Sequence, residues 1–160
     1  MELGTCFDEG IGGLPQSIQK AEELFQQAYD LDNPIAAYYL FDLYKRHYPD
    51  QKEKMMEYAR RGETLGNVGC IKKLFDLAVD SKNYTEVTRL SMKAARLGTD
   101  TARDNLMELY KVSEAQLLSK DDLATTLRAH QAINDEIKTL QRGFAKRFQI
   151  YVTAAVSNRN

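Results

Sequence analysis

Tryptophan is absent from the 160 residues, and cysteine (two), histidine (two) and proline (three) are scarce. Each shortage excludes something. Cys6 and Cys70 stand 64 positions apart, which makes neither a zinc-binding spacing nor a disulfide framework, so both are read as buried small hydrophobes. His47 and His130 lie in no His-Glu-x-x-His motif, and two histidines offer few routes to a catalytic base. So few prolines leave room for long uninterrupted helices. No stretch reaches the ~18 apolar residues a membrane helix needs. The most apolar one, 148–156, is broken by Gln149 and Thr153. Neither charge sign prevails: 22 basic residues face 23 acidic ones, a net of −1. That balance gives no bulk attraction to nucleic acid or anionic lipid, so neither a nucleic-acid partner nor membrane insertion is expected. What remains is ordinary globular material, 43% hydrophobic and 28% charged.

Catalytic chemistry is equally thin. Glu22-Glu23, Asp121-Asp122 and Asp135-Glu136 are adjacent carboxylates. Neighbours on a helix point about 100° apart, so such pairs cannot converge on one substrate and read as solvated faces. Gly10-Ile11-Gly12-Gly13 has no preceding strand and no following Gly-Lys-Ser/Thr, so it suits a helix-hairpin turn rather than a phosphate loop. Asn83-Tyr84-Thr85 fits the glycosylation acceptor pattern, a triplet that arises often by chance. The expectation is a non-enzyme, with no catalytic residue, no metal and no cofactor.

Laying the chain over itself reveals a repeat. With Asp32, Gly66 and Gly98 aligned, Ala28, Gly62 and Ala94 stand four positions earlier. Ala36, Cys70 and Ala102 stand four later; Leu40, Leu74 and Leu106 stand eight later. Leu43, Leu77 and Leu109 follow at eleven, and Tyr44, Ala78 and Tyr110 at twelve. The copies are 34 and 32 residues apart, inside the solenoid range of roughly 20–50. Small residues in the 28 and 36 columns would let helices approach closely, and the leucines would fill the space between layers. Each copy therefore reads as a helical hairpin. The first helices are predicted at 17–31, 51–64 and 84–97, and the second at 34–47, 67–80 and 100–112. Gly66 and Gly98 end first helices, and Asp32-Asn33-Pro34 turns into a second one. Asn83 or Ser81 begins the third repeat. Leu3, Gly4, Phe7 and Gly10 fit the end of a second helix, so the chain is expected to start inside a repeat and to be part of a longer one.

At Leu3-Gly4, Phe7, Gly10-Ile11-Gly12, Lys20-Ala21, Leu24-Phe25, Ala28, Ala36 and Leu40 the sequence resembles the Sel1-like repeat family, relatives of tetratricopeptide repeats. It departs from that pattern at Tyr29 and Asp32, and the later copies are shorter and lack the Gly-x-Gly loop. The resemblance spans roughly residues 2–112. It implies an all-α, right-handed solenoid of about three helical hairpins that works as an adaptor or scaffold. In bacteria some members resemble immunity proteins that sequester a toxic effector. That resemblance points to a bacterial source, in cytoplasm or periplasm according to what precedes residue 1. Members tied to β-lactam chemistry carry regular cysteine pairs, which this chain does not have.

Two segments follow: a repeat array over 1–112 and a C-terminal cap or interaction segment over 113–160. In the latter Leu123, Leu127, His130, Ile137, Leu140, Phe144, Phe148, Tyr151 and Ala155 recur at three- and four-residue steps, with Asn134 on the same seam. This reads as one long helix, or two joined near Gly143, capped by Ser119. It either shields the last repeat or pairs with a partner, a second copy included. Arg142, Lys146, Arg147 and Arg159 make its end basic. On the first helices, the positions that avoid the packing columns are Glu23, Gln26 and Gln27, then Glu57, Arg60 and Arg61, then Arg89, Lys93 and Arg96. The five basic residues form a stripe suited to an acidic protein surface. Tyr38, Tyr39, Tyr44 and Tyr48 read as core with hydroxyls at the rim. The leading expectation is a non-catalytic adaptor or inhibitor gripping another protein. The alternatives are an immunity protein neutralising a toxin, and a hydrolase acting on a cell-wall-like substrate.

Overall fold

A computed structural model describes the backbone of residues 2–112 and 118–157 and the side chains of 2–111 and 118–143. Every regular element among the described residues is an α-helix: α1 (Glu2–Glu9), α2 (Ile18–Asp30), α3 (Pro34–His47), α4 (Lys52–Thr64), α5 (Val68–Asp80), α6 (Tyr84–Arg96), α7 (Asp100–Val112) and α8 (Lys120–Ser157). The fold is all-α. Each helix predicted from the repeat lies within a residue of its expected bounds. The tail is one uninterrupted helix running through Gly143. The seam positions Phe144, Phe148, Tyr151 and Ala155 and the basic Lys146, Arg147 and Arg159 lie outside the described side chains.

One corner geometry recurs four times, after α2, α4, α5 and α6. Asp32, Gly66, Lys82 and Gly98 each take a left-handed φ, at 57°, 79°, 55° and 86°. The next residue's N–H then reaches back to a carbonyl five positions earlier: Asn33 to Ala28, Asn67 to Gly62, Asn83 to Ala78 and Thr99 to Ala94, at 2.8–3.2 Å. That pattern satisfies carbonyls the helix end would leave unpaired. The residue that closes one helix also opens the next. Asn33 Oδ1 accepts from the Ile35 N–H, Asn67 Oδ1 from the Cys70 N–H and Asn83 Oδ1 from the Glu86 N–H. Pro34 takes the first-turn position, where its missing N–H costs nothing. The Lys82 corner, between α5 and α6, has no glycine and is absent from the predicted columns.

Contacts gather into two units, one up to Leu90 and one from Ser91 onward, each described by itself. In the first, α1 packs on α2, α2 on α3, α3 on α4 and α4 on α5, and α3 also meets α5. Ala21, Phe25, Ala36, Ala37, Leu40, Leu43 and Ala59 are wholly buried there. At about 1.5–3 kcal/mol for each large side chain, this burial outweighs what any single surface ion pair supplies. Small residues set the spacing. A Cβ on Gly4 would stand 2.5 Å from Phe25 Cε1, and one on Gly62 would stand 2.9 Å from Cys70 Cβ and 3.1 Å from Ala37 Cβ. A buried carboxylate ties α1 to α3: the exposed Arg46 grips both oxygens of Asp8, which is 2% exposed, and His47 Nε2 lies 3.5 Å from the same carboxylate.

In the second unit α8 packs on α7. Leu106, Leu118, Leu123, Thr126 and His130 are buried, and a Cβ on Gly98 would lie 2.9 Å from Ile133 Cγ2. Ser119 caps α8 reciprocally: its hydroxyl accepts from the Asp122 N–H at 3.0 Å and donates to Asp122 Oδ2 at 2.7 Å.

Most expected packing positions are interior: Ala36, Leu40, Gly62, Cys70, Leu74, Ala94, Ala102 and Leu106 are buried, while Ala28, Gly66 and Gly98 are half-buried at the corners. The outer two columns differ along the chain. Leu43 and Tyr44 are buried, but Leu77 is 43% and Tyr110 42% exposed, and Leu109 is half-buried. Positions eleven and twelve beyond the corner sit in the last turns of a helix, where burial depends on what the next helix brings. Cys6, expected to be buried, is only partly so.

Gly62→Ala and Gly143→Ala should shift stability in opposite directions. The first overpacks the Cys70–Ala37 contact and is expected to cost about 1–3 kcal/mol despite alanine's better helix propensity. The second adds a methyl where nothing lies within 4 Å and should gain about 0.5–1 kcal/mol. Urea midpoints of the two variants check the signs.

Candidate functional site

The five basic residues of the stripe lie on α4 and α6, and Arg61 and Arg89 are in ion pairs. Arg89 is the clearest case. Its Nη1 and Nη2 donate to Glu63 Oε1 and Oε2 at 2.7 and 3.1 Å, while Nε and Nη2 donate to Glu86 at 2.7 and 2.8 Å. A fork with two carboxylates occupying its donors is a fixed strut, not a free cation. Glu63 is 7% exposed, so Arg89 shields charge taken from water. The Arg89 hydrogen bond holds the Glu86 carboxyl below the usual carboxylate range, against an opposing push from burial. Arg61 pairs with Asp32 and lies over the Tyr29 ring, 5.6 Å from its centroid. Arg60 is exposed, with Glu86 within electrostatic reach. It is the member of the first unit whose charge faces water.

Lys93 and Arg96 belong to the second unit. Lys93 is half-buried. Arg96 is exposed and directs Nε to Thr126 Oγ1 at 3.3 Å, a contact with α8. Nearby, His130 Nε2 lies 3.1 Å from Asp100 Oδ1, and the Asn134 amide meets the His130 ring at 3.2–3.3 Å. The Asn134 amide, which the sequence offered as a register-setting group, is thus engaged within its own helix.

Sequence reading missed a tyrosine belt shared by α2, α3 and α4. The Tyr29 and Tyr58 rings meet edge-on at 5.2 Å, as do Tyr44 and Tyr58, and Tyr48 stacks obliquely on Tyr44 at 5.1 Å. The Tyr44 hydroxyl donates to Glu22 Oε1 at 2.5 Å and accepts from Lys54 Nζ at 3.3 Å. Tyr58 donates to Gln26 Oε1 at 3.4 Å. Burial first, and for Tyr44 the Glu22 bond next, push the Tyr44 and Tyr58 hydroxyls above the ordinary tyrosine range. Glu22, read from sequence as a solvated acid, is instead half-buried and used. The available signal was Tyr29 and Tyr58, each one residue beyond or four before a small packing position. Outward from the belt, Gln19, Glu23, Gln27 and Asp30 line an open polar hollow on α2 of about 660 Å³.

Burial pushes the Cys70 thiol up to about 12, which keeps it protonated and weakly nucleophilic near neutrality. Among the described residues no cluster of three or more His, Cys, Asp or Glu is arranged to hold a metal, and no helix is long and apolar enough to cross a membrane.

The apolar face of α8 stands out instead. Every described residue from Asp135 to Gly143 is exposed, including Ile137 at 45% and Leu140 at 57%. Seam positions before them, Leu123 and His130, are 7% and 3% exposed. Among the described side chains, burial along the seam therefore ends before Asp135.

Arg89→Met should lower stability by about 1–3 kcal/mol, discounted for the half-exposed guanidinium, whereas Arg60→Glu should leave it within about 0.5 kcal/mol. The pH response gives a second check. Because the folded Glu86 value is depressed, its contribution is complete above the unfolded value near 4.5 and is lost as pH falls through the folded one. Acid titration of the unfolding midpoint should show that loss in the parent chain and a shallower one in Arg89→Met. No family model matches the chain, and neither a curated protein nor a solved structure matches it.

Proposed function

We propose that the chain is a non-catalytic protein–protein interaction module, an adaptor or inhibitor. In this reading it is built as a Sel1-like right-handed solenoid of about three hairpins and engages its partner through α8 and the faces of its first helices. The observation that carries the reading is the half-covered seam of α8. A helix of 38 residues, about 57 Å long, buries Leu123 and His130 but leaves Ile137 and Leu140 in water. Large apolar side chains repeating on one helix face gain free energy only when another surface covers them. The recurring corners support the repeat part of the reading, since equal turns with equal caps are what a stacked array requires. Arg60 is the stripe member best suited to contact an acidic partner. Arg61 and Arg89 serve mainly to hold their own carboxylates.

The test is a double substitution, Ile137→Asp with Leu140→Asp, in the full chain. Both side chains are exposed, so the thermal midpoint should stay within a few degrees of the parent. Affinity capture from the source cells should recover a partner with the parent and lose it, by at least tenfold, with the variant. Light scattering run alongside reveals whether the partner is a second copy, which the same substitutions would reduce to monomer. Equal recovery by both proteins, or recovery by neither together with a parent monomeric at all concentrations, overturns the role of α8.

A further inference from the structure

A groove in the first unit has none of the stripe residues in its lining. It occupies about 360 Å³ where α3, α4 and α5 meet. Phe41, Met55, Met56 and Leu77 make its apolar lining. Phe41 is 5% exposed and serves as floor, both methionines are half-buried, and Leu77 offers 43% of its surface. The Leu77 exposure is local in origin: the equivalent Leu43, one helical pair earlier, is wholly covered. Position 77 is thus a core position of the repeat without its cover.

Two of the charged groups in the wall are already paired. Lys73 Nζ binds Asp42 Oδ1 at 2.8 Å and sits over the Tyr38 and Phe41 rings at 5.3 and 5.7 Å. Asp76 is engaged by Lys72 at 3.0 Å. Lys45 and Lys52 also line the groove, both exposed, and among the described residues neither has an ion-pair partner. Against these two free ammonium groups the lining sets one free carboxylate, Asp80.

We infer that this groove docks an acidic amphipathic segment of a partner protein, placing one or two large apolar side chains on Phe41 and Leu77 and carboxylates toward Lys45 and Lys52. Volume, lining and charge each favour that occupant. The space holds a few side chains and not a folded surface. Methionines adjust to varied apolar shapes, which suits a peptide anchor. The unpaired lysines repel a basic segment and favour an acidic one in encounter and register. This inference rests on the interaction-module reading but uses no residue of α8, so the two can fail independently.

The experiment is selection of a random peptide library on the immobilised full chain, followed by binding of the enriched peptides to Leu77→Glu, to Lys45→Glu with Lys52→Glu, and to the Ile137→Asp, Leu140→Asp variant. Every substituted side chain is exposed, Leu77 and Ile137 by somewhat under half of their surface, and circular dichroism confirms that each variant folds. The groove predicts peptides pairing Glu or Asp with Leu, Phe or Met. Their affinity should fall at least tenfold in the first two variants and be unchanged in the third. Enrichment of basic or purely apolar peptides, binding insensitive to the groove substitutions, or no enrichment at all overturns the proposal. So does self-association of the parent that Leu77→Glu abolishes, since it would assign the groove to a second copy. Loss of binding only in the α8 variant would preserve the interaction-module reading and remove the groove from it.

Discussion

The structure depends on a single corner. A residue at left-handed φ ends one helix, and its successor, asparagine at three of the four corners, closes that helix and opens the next. Without the left-handed residue the helix would run on, and without the cap the following helix would begin with its first N–H groups unpaired. Because the corner is short, consecutive helices are forced close together, and closeness is tolerable only where side chains are small. Gly62 against Cys70 and Ala37 is the tightest such point. The turn chemistry and the small-residue columns are one constraint seen from two sides.

This explains why the fold was legible in the sequence. Glycine at 66 and 98 marks a backbone need that few other residues meet, and small residues four positions to either side mark the contact that follows. The Lys82 corner escaped because lysine carries no such mark, although Ala78 and Asn83 stand sixteen residues after Gly62 and Asn67 and make the same hydrogen bond. The outer columns were over-read for a different reason. A leucine's identity records a capacity for burial, whereas its burial depends on a neighbour that the column does not encode, as Leu43 and Leu77 show.

The candidate surface was less legible than the fold. Off the packing face, Glu23, Gln27, Glu57, Arg60, Arg61, Arg89 and Arg96 are exposed while Gln26 and Lys93 are half-buried, and the pairing of their charges was not legible. Arg89 looked like a free cation because its buried partner Glu63 is 26 residues away and only the folded chain brings it there; Glu86, three residues back on the same helix, was within reach of local rules. Tyr44 and Glu22 meet across 22 residues by the same logic. Local rules reach a helix face or a turn; pairing between helices needs the crossing geometry. A net charge read along a helix therefore overstates what a visiting molecule would encounter.

The even tread of the later corners, at 66, 82 and 98, carries a consequence for how such a chain can change length. Each sixteen-residue stretch begins with a cap and ends with a left-handed residue, so its two ends are chemically interchangeable with its neighbours' ends. Copying or excising two consecutive stretches, one whole hairpin, would rejoin like to like and keep first and second helices in alternation. Growth by whole hairpins is then cheap for the lineage, while slippage by a few residues is ruinous.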